Sequence, residues 1–289
     1  MSRLPQPEPD LLLVFPQWQG AGQLPRLRES ALALAAALPP TRRRVEVAVE
    51  LAHPLSSEHG IEGRSELLTQ LRAARRLLDT ERSPRVFAVG GDCGIETAVV
   101  SYLNATYAGS LAVVWLDAHP DLNTPESSPS GHVHGMPLRI LLGEGDAAFT
   151  ALVERPLRPD QLLLAGMRAP DPPEAALVEG RRIRTLSTES LLEDPGELLR
   201  WVRGRGLGRV YVHLDLDVCD PREVSTVACP TPRWAVGIGA ARDPGHARPR
   251  DQHRRRRADG GDVRRRCGSS CAPADPRLVR TAVSTCSER

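Results

Sequence analysis

Between residues 10 and 232 the chain alternates short apolar runs with longer stretches whose apolar residues recur at helical spacing. The runs are Leu11–Phe15, Val86–Gly90, Leu111–Leu116, Leu162–Gly166 and Val210–Leu216. Several are β-branched and turn residues bound them, which predicts short buried strands. Helices are predicted between them. Arg28–Leu38 is rich in Ala and Leu, and Gly63–Thr80 places Leu67, Leu68, Leu71 and Leu77 close to one face. Ile95–Leu103 follows a Gly-rich turn, and Gly196–Gly204 is a further helical stretch. Strands alternating with helices predict βαβ units and an α/β fold whose parallel sheet is covered on both faces. No internal repeat is present.

Composition narrows the picture. A length of 289 residues suits one large α/β domain or two small ones. Hydrophobic residues make up 40% but aromatics only 3%, so the core must be built mostly from Leu, Val, Ala and Ile. A net charge of +2 favours neither nucleic acid nor a membrane surface. No apolar run approaches the ~18 residues of a membrane span, and MSRLPQPEPDLLLVF sets prolines and acids before a short apolar run, unlike a secretory leader. The six cysteines show no framework spacing before residue 230, so a reducing cytoplasm is the expected location.

The pattern stops near Arg233. Residues 233–289 hold 14 arginines against six acids, with runs such as HRRRR and VRRRC that have no amphipathic period. A basic nucleic-acid-binding tail is one reading, and a solvated tail without a fold is the plainer one. A third reading needs the motifs.

In WLDAHPDLNTPESSPSGHVHGMP, Asp117, His119 and Asp121 follow the strand Leu111–Leu116. Parallel sheets gather ligands beyond the carboxyl ends of their strands. Residues i and i+2 of an extended segment face the same way. Asp117 and His119 can therefore converge, and the turn can bring in Asp121. Two carboxylates and an imidazole suit Mn²⁺, Fe²⁺ or Zn²⁺ better than Ca²⁺. One such triplet alone is as easily a strand end doing capping duty. VYVHLDLDVCDP changes the balance, because Asp215 and Asp217 interrupt an apolar strand two residues apart. Burying both is costly unless a cation or donors compensate. Two strands ending in paired ligands point to two metal ions a few Å apart. In VFAVGGDCGIE a strand meets a Gly-Gly turn, Asp92 and Cys93, but no nucleotide fingerprint is present.

In this order these segments resemble the arginase/agmatinase (ureohydrolase) family. GGDCG is similar to its G-G-D-H-[ST] turn, DAHPD to D-A-H-x-D, and HLDLDVCDP to its late S-x-D-x-D-x-x-D-P strand. The resemblance runs from about residue 10 to Pro232 and implies a three-layer α/β/α fold with a central, mainly parallel sheet. It also implies two divalent metal ions, Mn²⁺ first, bridged by Asp117 and Asp215. His119 and Asp217 would complete one, and Asp121 with Cys93 the other. It assigns His134 as proton shuttle. Asn123 and Ser130 fall at substrate-carboxylate positions, His132 at a substrate-site position where arginases have Asn, and Asp171 and Glu174 at α-amino positions. The implied reaction is hydrolysis of a guanidine or amidine, arginine to ornithine plus urea foremost, by a water activated between the metals with Asp121 accepting its hydrogen bond. Agmatine, guanidinobutyrate and formimidoylglutamate are alternative substrates. A homotrimer or hexamer is implied as well.

Two departures matter. Cys93 stands where the family has histidine; a softer thiolate would favour Zn²⁺ or Fe²⁺, and weaker binding is expected there than beside His119. After ACPTP the chain reads RWAVGIG where the family continues with a Gly-Gly-Leu turn. One codon choice for PRWAVG, CCC CGG TGG GCT GTC GG, read one base later gives CCC GGT GGG CTG TCG, which encodes PGGLS. The expectation is thus a ureohydrolase-like domain over residues 1–232 and an out-of-frame tail over 233–289. All 38 basic residues are arginine, as GC-rich DNA favours, and Cys267 and Cys271 would then be no zinc site. Such a chain would keep its metal ligands but be impaired in stability or activity.

Overall fold

The computed structural model describes residues 11–39, 43–51 and 54–219. The expected domain limit at residue 232, the tail and its Cys267 and Cys271 lie outside the described residues. In chain order the elements are β1 (Leu11–Phe15), α1 (Arg26–Ala37), β2 (Arg44–Glu46), β3 (Ser57–Glu58), β4 (Ile61–Glu62), α2 (Arg64–Glu81), β5 (Val86–Gly90), α3 (Glu96–Thr106), β6 (Leu111–Leu116), α4 (Pro137–Leu141), α5 (Ala147–Thr150), β7 (Leu162–Ala165), α6 (Pro172–Gly180), β8 (Arg184–Leu186), α7 (Thr188–Glu193), α8 (Gly196–Gly204) and β9 (Arg209–Leu214).

The described strands form two parallel sheets, ordered β2-β1-β5 and β8-β7-β6-β9, and β3 pairs with β4 in a short antiparallel hairpin. Alternation along each strand splits the core into layers, because successive side chains leave opposite faces. Leu11, Leu13 and Phe15 join Leu111, Val113, Trp115, Leu162 and Leu164 in the main core. Leu12 and Val14 face Ala31 and Ala35 of α1. Val114, Leu163 and Ala165 face Leu186 and Leu191, with Leu198, Trp201 and Val202 of α8 packed against them. Helix α2 seals the main core with Leu67, Leu71, Ala74 and Leu78, a stripe at helical spacing; each buried Leu contributes roughly 2 kcal/mol. The result is three layers, helices on both faces of parallel strands.

The predicted strands fall on β1, β5, β6, β7 and β9, with β7 ending one residue early at Ala165 and a larger revision at β9. The run Val210–Leu216 stops as a strand at Leu214, because Asp215 caps a 3₁₀ turn over Leu216–Val218. Among the described residues β5 and β9 each have a single neighbour, so both are edges. On β9 and the turn after it, Val210, Leu214 and Leu216 are 42%, 36% and 43% exposed, whereas β6 beside it is buried almost throughout. No described helix is long and apolar enough to cross a membrane.

Candidate metal centre

The carboxyl ends of β5, β6 and β9 meet at one point, and each delivers its ligands through a turn its sequence requires. After β5, Asp92 is buried and accepts hydrogen bonds from Gly94 N at 2.9 Å and Gly20 N at 3.0 Å. Gly91 is needed there: a Cβ would sit on the carbonyl oxygen of Gln17 and 2.9 Å from that of Leu27. This turn presents Cys93. After β6, Asp117 Oδ1 accepts His119 N at 2.7 Å, which folds the D-x-H segment back on itself. Asp121 then takes a left-handed conformation, φ 51°, that Asp tolerates better than most residues. Its carbonyl receives Leu138 N at 3.0 Å, and Leu122 N reaches Glu174 Oε1 at 2.8 Å. After β9, Asp215 Oδ1 accepts Asp217 N at 2.8 Å.

Two groups of possible ligands result, and they share one residue. Cys93, Asp117, His213 and Asp215 offer atoms that all lie within 4.8 Å of one another, and so do Asp117, His119 and Asp217. Cys93 Sγ is 3.0 Å from Asp215 Oδ2, and His119 Nδ1 is 2.9 Å from Asp217 Oδ2. Asp117 thus stands between two positions, as a bridging carboxylate would. Asp121 belongs to neither group but lines the same cavity, and its buried Oδ2 has no hydrogen-bond partner among the described residues.

Protons follow from this crowding. Burial, then the neighbouring carboxylates, holds Asp121 and the Cys93 thiol well above their ordinary ranges and raises Asp215. Burial also lifts Asp217 to about 7, although His119 opposes it. Asp117 goes the other way: burial would raise it, but the imidazoles of His119 and His213 beside it hold it below the usual carboxylate range. Both imidazoles are raised to about 10, since their carboxylate partners outweigh burial. Three buried acids and the half-buried Asp215, kept together by two cationic imidazoles and shared protons, form a site whose chemistry calls for divalent cations. The donor set, mostly oxygen with nitrogen and one sulfur, fits them.

The cavity over this point measures about 110 Å³ and is walled by Asn123, Ser130, His134, Asp171 and Glu174. Asn123 Nδ2 donates to Asp171 Oδ2 at 2.9 Å. Both Glu174 oxygens are engaged by backbone donors, Leu122 N and Asp171 N at 2.8 Å each, so Glu174 shapes the wall. His134 is lowered to about 4 by burial and by His132 and His119. His132 is not among the lining residues, and its Nε2 faces Glu62 Oε2 at 3.1 Å. Sequence reasoning missed Glu96, Arg168 and His213. Arg168 donates to the carbonyls of Asp217 at 2.6 Å, Val218 at 3.3 Å and Gly166 at 3.4 Å, clamping the β9 turn to β7. Of the three, only His213 carried a signal, a polar residue inside an apolar strand.

Comparison with known proteins agrees with this geometry. The sequence pattern of the arginase family matches residues 29–237. An arginase of Staphylococcus aureus strain MRSA252 is 32% identical over 213 residues, 70% of this chain and 68% of that one. The arginase of strain COL is 36% identical over 50% of this chain, which spans only 49% of its length. Among solved structures, native arginase from Bacillus caldovelox superposes with a TM-score of 0.67 at 22% identity, covering 80% of this chain and 83% of that one. Entamoeba histolytica arginase, in complex with L-ornithine, gives 0.66 at 22% identity over 73% and 76%. Proclavaminate amidino hydrolase from Streptomyces clavuligerus gives 0.58 at 19% identity over 81% and 77%. With metal-ligand groups at three strand ends, a three-layer parallel fold and a pattern match over most of its length, the chain belongs to the arginase family.

Proposed function

We propose that this chain hydrolyses a C–N bond of a linear guanidine or amidine, with arginine to ornithine plus urea the leading reaction and Mn²⁺, Zn²⁺ or Fe²⁺ as its metal. The observation that carries the reading is the pair of ligand groups sharing Asp117 at the floor of a polar-walled cavity. Asp117, Asp215, His119 and Asp217 would hold one ion, and Cys93, Asp117, Asp121 and Asp215 the other. When bound, the two ions supply a water acidic enough to act as a nucleophile at neutral pH. The protein's own groups do the rest. Asp121 Oδ2, buried and without a hydrogen-bond partner among the described residues, would accept a hydrogen bond from that water once bound metal has displaced the proton of Asp121. His134, neutral at pH 7, relays a proton towards the departing amine, which leaves poorly without one. Asn123, Ser130 and Asp171 face the substrate's amino-acid end; His132 acts from the rim beside Glu62. A reducing cytoplasm is the location that goes with this reading. A homo-oligomer is part of the same reading.

Urea and ammonia release from arginine, agmatine, guanidinobutyrate and formimidoylglutamate, each with added metal, tests it. Release from arginine above the others is expected, and none from any substrate overturns the reading. A second reading is favoured by the exposed apolar side chains on β9, the strand that delivers Asp215 and Asp217: a chain that binds metal but turns over poorly. In that case metal raises the melting temperature while no substrate is consumed. The gene's nucleotide sequence around codon 232 tests the out-of-frame tail; early stops in the shifted frame overturn it.

A further inference from the structure

His213 lies two residues before Asp215 and stands where the family's late strand carries serine, so nothing in the family pattern assigns it a role. Its ring is buried and stacked on Trp115, with centroids 3.7 Å apart and planes at 23°. Nδ1 is 2.9 Å from Glu96 Oε1, and Tyr211 donates to the other oxygen of Glu96 at 2.7 Å. Glu96 is itself buried and follows Cys93 by three residues on the same turn. These contacts fix the ring so that Nε2 faces the site. There Nε2 has no hydrogen-bond partner among the described residues, the carboxylate Asp117 Oδ2 standing 3.5 Å away. That distance is long for a hydrogen bond, and a buried nitrogen aimed into a ligand cluster needs a partner.

We propose that His213 Nε2 is a metal ligand, completing a Cys93–Asp117–His213–Asp215 set in which Glu96 orients the imidazole. The inference rests on the two-metal reading above and deepens it. A metal-bound imidazole usually donates its other N–H to a carboxylate, which fixes the tautomer and strengthens the donor, and Glu96 is placed to do this. The nitrogen lost where Cys93 replaces histidine is thereby regained from β9. With Asp121 the set holds one sulfur, one nitrogen and three carboxylates; the sulfur and nitrogen favour Zn²⁺, Fe²⁺ or Co²⁺ over Mn²⁺ at this position and leave the His119 position harder. The competing role for His213 is a buried cation that merely neutralises Glu96 and Asp117.

Cobalt titration of the metal-stripped full chain separates the two. The wild type is expected to take up two Co²⁺, one giving a thiolate-to-cobalt charge-transfer band, and X-ray absorption should count about one imidazole per cobalt. His213→Asn should weaken the sulfur-bearing position by at least about tenfold and change its visible bands. Glu96→Gln should weaken it by about tenfold or more, as loss of a ligand-orienting partner does. Wild type with one imidazole for every two cobalt ions overturns the proposal without any variant having to fold. Unchanged affinity and bands in His213→Asn overturn it as well. A wild type that takes up no cobalt instead removes the two-metal reading itself.

Discussion

Stripping metal from this protein should make its stability fall as pH rises, and the structure says how steeply. In the metal-free chain His119 and His213 hold their protons up to about 10, against 6.5 for a free imidazole. Each raised pKa contributes stability that is complete below pH 6.5 and is lost as pH climbs to about 10. Between pH 7 and 9 the folded state therefore carries up to two imidazole protons that the unfolded state has released. One excess proton changes stability by about 1.4 kcal/mol per pH unit, so the two imidazoles contribute up to roughly 3 kcal/mol per unit, and Asp121 and Cys93, held well above their ordinary ranges, act in the same direction. His119 is 30% exposed, and solvent weakens its ion pairs, so about 1–2 kcal/mol per unit is the slope expected of the imidazoles. Below pH 7 the sign is mixed: Asp92 and Asp217, raised to about 7, act in the same direction, while His134, lowered to about 4, opposes them up to 6.5. The window from 7 to 9 is therefore the informative one. Bound metal displaces these protons, so its stabilising effect must grow over the same interval. Urea midpoints by far-ultraviolet circular dichroism at pH 7, 8 and 9, with chelator and with saturating Mn²⁺ or Zn²⁺, measure both slopes. A chelated chain whose midpoint is flat or rises from pH 7 to 9 refutes the reasoning.

Three substitutions follow from the same geometry. Arg168→Met strips its donors from the carbonyls of Gly166, Asp217 and Val218, and should cost about 1–3 kcal/mol in a urea titration, with weaker metal retention on dialysis. Gly91→Ala drives a methyl group into the backbone of Gln17 and Leu27, and should cost more than about 2 kcal/mol and release the Asp92–Gly20 contact; an unchanged melting temperature contradicts the close approach. His134→Asn should lower kcat by roughly 10²–10⁴-fold with metal content unchanged, since His134 belongs to neither ligand group; lost metal would move it into the ligand shell.

Strands β1 and β6 were legible because they are buried on both faces, so their apolar runs are continuous and end at turn residues, and the half-buried edge β5 because its short apolar run stops at a Gly-Gly turn. Leu11–Phe15, Val86–Gly90 and Leu111–Leu116 match β1, β5 and β6 residue for residue. Strands β2 and β8 were not, since each has three residues: β2 has exposed charged ends around Val45, and β8 offers only Leu186 as an apolar residue. Helix α6 was hidden by Pro172 and Pro173, which read as a loop but sit in its first turn, where proline costs no hydrogen bond. At the site, paired aspartates at strand ends were visible as residues out of place. Glu96 and Arg168 were not, because each acts through a partner distant in sequence, 117 residues away for Glu96 to His213. Such contacts exist only once β5, β7 and β9 are brought together.

That assembly explains why the metal centre and the stability of the fold are one problem here. Among the described residues no ladder of backbone hydrogen bonds joins the sheet β2-β1-β5 to the sheet β8-β7-β6-β9. What crosses between them is the shared core and the site itself: Cys93 after β5 touches Asp215 after β9, and Glu96 holds both His213 and Tyr211 of β9. Ions bound between Cys93, Asp117 and Asp215 would therefore tie together strands that are edges on that side. An edge strand with exposed Val210 and Leu214 gains little from burial and much from such a tie. Binding free energy at this centre is then also folding free energy for β9, and any loss of ligands should loosen the strand before it changes the rest of the core.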